Sequence, residues 1–113
     1  WQPVRAAEEA QSSGGITEFR ATPARLRGRI ELSWKYAGKP FSGSFVVERS
    51  TNGGAWRAVS ACVQPFDEGN ESYACADAGL TSGTRYAYRA CVSSRGANCT
   101  KSSATKSVAV KAP

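Results

Sequence analysis

Four cysteines, Cys62, Cys75, Cys91 and Cys99, are the residues whose type and spacing bear most directly on chemistry. They admit three uses: zinc ligation, a thiol nucleophile, or disulfides. A structural zinc site needs ligand pairs two to four residues apart, usually repeated and often joined by His. Here the closest pair ends the stretch CVSSRGANC (residues 91–99), with seven residues between, and the sequence has no His. Zinc is therefore set aside. The lack of His also removes the usual general base and every Ser-His arrangement. An even number of cysteines reads as two disulfides and so as an oxidising compartment: the expectation is a secreted protein, extracellular or periplasmic. Bridged cysteines offer no thiol nucleophile. Four cysteines allow three pairings, and spacing alone does not choose among them.

The acidic side chains add no catalytic constellation. Glu8–Glu9 and Asp67–Glu68 are sequence neighbours. A glycosidase needs two carboxylates set across a cleft, whereas adjacent acids in a linker and a loop make a solvated surface. No glycine-rich phosphate motif is present. The expectation is a chain with no enzymatic activity, no metal and no cofactor.

What remains is binding. Fifteen Lys and Arg stand against nine Asp and Glu, a net charge of +6. The cations are spread along the chain, with the densest group at Arg25, Arg27 and Arg29. Such a balance attracts polyanions weakly and without specificity; specific nucleic-acid recognition is not expected. The stretch between Cys91 and Cys99 poses a sharper choice. Closed by a bridge, it and the residues just after it would display Arg95, Asn98, Thr100 and Lys101 to a protein or polysaccharide, and a rigid loop loses little entropy on binding. The same bridge would also pin the end of a hairpin, and stability alone is the favoured reading. Trp56, just after a turn, is the one aromatic ring left open as a binding residue. The sequons Asn70-Glu71-Ser72 and Asn98-Cys99-Thr100 matter only in a glycosylating source.

The elements that must position these residues follow from pattern. A chain of 113 residues, 41% hydrophobic and 10% aromatic, supports one packed domain. No apolar run approaches the ~18 residues of a membrane span, and there is no Met; the expectation is a monomeric module processed from a longer chain. Residues 1–15, WQPVRAAEEAQSSGG, read as a linker or N-terminal extension. From Ile16 the period is near two. Ile30, Leu32 and Trp34 alternate with Glu31, Ser33 and Lys35; Phe45 and Val47 share a face; Tyr86, Tyr88, Ala90 and Val92 oppose Arg85, Ala87, Arg89 and Cys91. The TNGG of residues 51–54 is a hairpin signal. About seven short strands with frequent turns, and no convincing helix after Gly15, imply an all-β, two-sheet antiparallel immunoglobulin-like sandwich over residues 16–113.

The stretch LTSGTRYAYRACV (residues 80–92), with Trp34 in the second strand and Phe45 and Val47 in the third, resembles the fibronectin type III family. The likeness is to the versions found in bacterial secreted proteins, and it covers nearly the whole chain after the linker. The resemblance implies a core of Trp34, Phe45, Val47, Leu80, Tyr86 and Tyr88. Tyr86 would form a tyrosine corner, its hydroxyl bonded to backbone a few residues upstream. Placed on that fold, the cysteines, which most members lack, fall into neighbour pairs: Cys62 with Cys75, and Cys91 with Cys99. In animal adhesion members the loop after the sixth strand can carry Arg-Gly-Asp for integrins; here the third residue is Ala97, so that function does not carry over. The resemblance implies a non-catalytic spacer or accessory module, often found beside polysaccharide-degrading domains. The alternatives are a stand-alone glycan- or protein-binding module using the 93–102 loop, and weak polyanion binding by the basic surface.

Overall fold

Asn52 and Gly53 both adopt positive φ, 50° and 77°, and so build the tight turn the Asn-Gly pair promises. That turn joins two of eight strands in the computed structural model, which describes residues 15–93, Cys99 and residues 104–113. The strands are β1 (Ile16–Pro23), β2 (Ile30–Tyr36), β3 (Ser44–Thr51), β4 (Trp56–Ala58), β5 (Gln64–Pro65), β6 (Ser72–Asp77), β7 (Arg85–Ser93) and β8 (Val108–Lys111). All pairing is antiparallel: β1-β2-β6 form one sheet, and β4-β3-β7-β8 the other, with β5 also paired to β3. The expected linker, residues 1–15, lies outside the described residues apart from Gly15. Among the described residues no helix is long and apolar enough to cross a membrane.

The pattern of period two explains the layers. Ile30, Leu32 and Trp34 of β2 are buried and Glu31, Ser33 and Lys35 exposed. They meet Phe45, Val47, Tyr86, Tyr88 and Ala90 of the opposite sheet in one core. Trp34 is its centre, stacked on Tyr73 at 6.0 Å and edge-on to Phe45 at 5.7 Å. Leu80 packs against this core from the β6–β7 loop and is partly buried. Tyr86 closes that end: its hydroxyl accepts the Thr81 N–H at 2.9 Å.

The strand count differs from the expected seven, and the reason is local. The composition of AWRAVSAC (residues 55–62) suits a fourth strand that runs through to Cys62. In the structure β4 stops at Ala58, and Ser60–Cys62 form a 3₁₀ turn before the chain rejoins β3 as the two-residue β5. The turn buries Cys62, which is bonded to Cys75 of β6. This bridge ties the edge of one sheet to the edge of the other. Likewise β8 covers only Val108–Lys111 of the strand-like stretch ATKSVAVKA (residues 104–112). Thr105 extends the ladder by itself, donating its N–H to Ala90 O (2.8 Å) and accepting the Ala90 N–H on Oγ1 (3.1 Å).

Candidate recognition surface

β3 is buried on both faces, which its sequence does not announce. Phe45 and Val47 point into the core; Val46, Glu48 and Ser50, on the outer face, are buried as well. The cover is Cys99, bonded to Cys91 of β7, with Val46 and Ala104 packed beside the bridge. Glu48 then becomes a carboxylate out of water, its side chain 1% exposed. Such a charge is tolerable only with close partners. It has two. Arg89, its cross-strand neighbour, donates Nε–H to Oε1 at 2.8 Å, and the Cys99 backbone donates N–H to Oε2 at 3.0 Å. A second Arg89 nitrogen reaches the Cys99 carbonyl at 3.4 Å.

Trp56 of β4 completes the group. Its half-buried ring lies under the Arg89 guanidinium, 4.3 Å from Cζ to ring centroid, a cation–π contact strengthened by the shelter from water. The two side chains line an open cleft of about 570 Å³ together with Ala104, Thr105 and Ser107. An aromatic face, a fixed cation and two hydroxyls are the kinds of group that hold a sugar or a peptide backbone. The hollow on the outer face of the other sheet, lined by Thr22, Arg29, Glu31, Ser33 and Ala74 among others, carries no aromatic ring.

Of the sequence-derived binding residues, Trp56 is thus placed in the cleft; Arg95, Asn98 and Lys101 lie outside the described residues. Arg89 and Glu48 were not singled out in the sequence, where they read as the solvent face of two strands. Their signal was the register: each follows the alternation that puts Cys91 on the same face. Among the described residues no cluster of three or more His, Cys, Asp or Glu side chains could hold a metal ion.

A second buried polar group lies inside the sandwich. Asp77 of β6, 4% exposed, accepts two bonds from one Arg49 nitrogen at 2.8 and 2.9 Å and one from the Tyr88 hydroxyl at 2.8 Å. Burial, and then the neighbouring carboxylate, push the Tyr88 hydroxyl well above the usual phenol range. The hydrogen bond to Asp77 raises Arg49 further. This group links the two sheets and lies away from the cleft.

No family model matches the sequence, and no curated protein matches it. Among solved structures, one described as a myokine superposes with a TM-score of 0.59 at 15% identity, covering 88% of this chain and 97% of that one. The kinase region of twitchin from C. elegans is also similar, with a TM-score of 0.48 at 18% identity over 83% of this chain and 17% of that one. At 15% identity the likeness to the myokine structure speaks to architecture alone: with its two antiparallel sheets, the chain folds as an immunoglobulin-like sandwich of the fibronectin type III kind.

Proposed function

We propose that this chain is a non-catalytic recognition module of a secreted protein, with residues 1–15 as its linker, and that it holds a polysaccharide or protein at the Trp56–Arg89 cleft. The observation that carries the reading is the preorganisation of that pair. Arg89 is fixed by a buried carboxylate and Trp56 is fixed by Arg89, so neither side chain need be ordered on binding. Two disulfides support the extracellular setting, because thiols stay reduced in the cytosol. One observation favours the spacer reading instead: Arg89 already gives its Nε–H to Glu48 and a second donor to Cys99, which leaves it fewer for a ligand.

The test is a pull-down of the oxidised domain on insoluble polysaccharides and bacterial cell wall, at low salt and at ~0.5 M, where surface charge is largely screened. Salt-resistant binding to one matrix that falls at least about tenfold in Trp56→Ala, the loss of one well-placed aromatic contact, supports recognition at the cleft. The same loss in Arg95→Ala or Lys101→Ala, with Trp56→Ala unaffected, moves the site to the 93–102 loop. No salt-resistant binding leaves the module a spacer.

A further inference from the structure

One end of the sandwich gathers cations that have no ion-pair partner among the described residues. Residues 24–29, ARLRGR, form the β1–β2 loop, closed by the Ala24 N–H donated to the Arg29 carbonyl at 3.0 Å. The loop is clamped from behind. Gly28 donates its N–H to the Pro113 carbonyl and accepts the Leu80 N–H, both at 2.9 Å. Gly28 has φ +72°, and a Cβ there would stand 2.6 Å from the Leu80 carbonyl oxygen. Only glycine permits this approach. Arg25, Leu26 and Arg27 are therefore presented, all exposed, on a loop held to the body of the fold.

Two residues before Pro113, Lys111 stands directly opposite Arg85 in the β7–β8 register. Like charges in that position repel. Among the described residues no acid forms an ion pair with Arg85, Lys111, Arg25, Arg27 or Arg29. Asp77, the buried acid of this end, is engaged by Arg49 and Tyr88. Glu31 lines the same hollow as Arg25, Leu26 and Arg29, and it too forms no ion pair. At the centre stands Leu26, 66% exposed, the most exposed large apolar side chain among the described residues.

Cations alone would suit any polyanion. Leu26 distinguishes the partners: a linear polyanion offers it nothing, whereas an anionic bilayer places phosphate charge and an apolar layer within reach of one protruding tip. We propose that this end docks on an anionic phospholipid surface. Arg25, Arg27, Arg29, Arg85 and Lys111 face headgroup phosphates, and Leu26 enters the interface. The attachment is peripheral, and it is independent of the Trp56–Arg89 reading.

The experiment is co-sedimentation of the whole 113-residue chain with vesicles of phosphatidylglycerol and phosphatidylcholine in equal parts, and with vesicles of phosphatidylcholine alone. Binding is expected only to the anionic vesicles, weakening as salt is raised. Leu26→Ser should weaken it about tenfold, the loss of one partly inserted leucine. Arg25→Glu with Arg27→Glu should weaken it at least about a hundredfold, from two contributions lost and reversed. Trp56→Ala should leave it unchanged. Leu26 touches water rather than the core, so an unchanged melting temperature in Leu26→Ser shows that the fold is intact. Absence of binding to the anionic vesicles overturns the proposal. So does binding that ignores Leu26→Ser and is abolished by an equal charge of soluble dextran sulfate, which would make this end a site for linear polyanions.

Discussion

Glu48 and Arg89 face each other across β3 and β7, 2.8 Å apart, and together they hold the backbone of Cys99 over the sheet. The pair couples the far end of the disulfide-closed segment to the central strand. Truncating one partner would strand the other's charge in a buried place. Arg89→Ala should cost about 3–5 kcal/mol in chemical denaturation, whereas Glu48→Leu with Arg89→Met, which removes both charges, should cost far less. Equal losses in the two variants would mean that packing, not the stranded carboxylate, sets the penalty.

Asp77 plays the equivalent part inside the sandwich. Asp77→Ala leaves the Arg49 guanidinium and the Tyr88 hydroxyl without their acceptor, for an expected loss of about 3–5 kcal/mol. In Tyr88→Phe the carboxylate keeps Arg49, so the cost should be nearer ~1 kcal/mol. The difference between the two melting curves measures how much of the network rests on the ion pair.

Alkaline stability carries the mark of Tyr88. Its hydroxyl stays protonated in the fold far above the pH at which it ionises in the unfolded chain, because burial and then Asp77 disfavour the phenolate. Above pH ~10 the unfolded state releases this proton and the native state does not. The contribution is thus fully present below pH ~10 and is lost as pH rises beyond it, at about 1.4 kcal/mol per pH unit. Tyr36, also raised by burial, acts in the same direction. Denaturation midpoints between pH 8 and 11 should show the decline, and Tyr88→Phe should flatten it.

The two bridges can be separated by mass and by stability. No Lys or Arg lies between Arg57 and Arg85, so trypsin should leave Cys62 and Cys75 in one peptide that gains two hydrogens on reduction. Cleavage after Arg89, Arg95 and Lys101 should leave Cys91 and Cys99 in two peptides that part on reduction. Cys62→Ala with Cys75→Ala should lower stability by about 3 kcal/mol, as expected for a loop of this length. A map showing peptide 58–85 joined to either of the others would contradict the structure.

The sandwich is legible in the sequence because alternation is a local signal. Ile30, Leu32 and Trp34 declare one face, Asn52-Gly53 declares a turn, and Tyr86 after Gly83-Thr84 declares the corner. The two buried polar groups, around Asp77 and around Glu48, are illegible for the opposite reason. Arg49 and Asp77 are 28 residues apart and belong to different sheets. Glu48 alternates as a solvent residue should, and is buried only because Cys99 returns over it from 51 residues downstream. The 3₁₀ turn at Ser60–Cys62 was hidden as well, since AWRAVS has the composition of a strand. Of the surface side chains read as binding residues, Trp56 became a placed residue only through Arg89, whose partner is that same hidden carboxylate.

The anchoring of Cys99 has a consequence for how such a chain can diversify. Among the described residues, the groups that hold it, Cys91, Glu48 and Arg89, all belong to strands. These three anchors are fixed by strand pairing and by the bridge itself. Replacing SRGAN with another five-residue sequence keeps all three anchors, and a melting temperature close to the original value is the expected outcome. Lineages, or a designer building a library, are then free to rewrite that stretch while the strands keep the terms on which the chain folds.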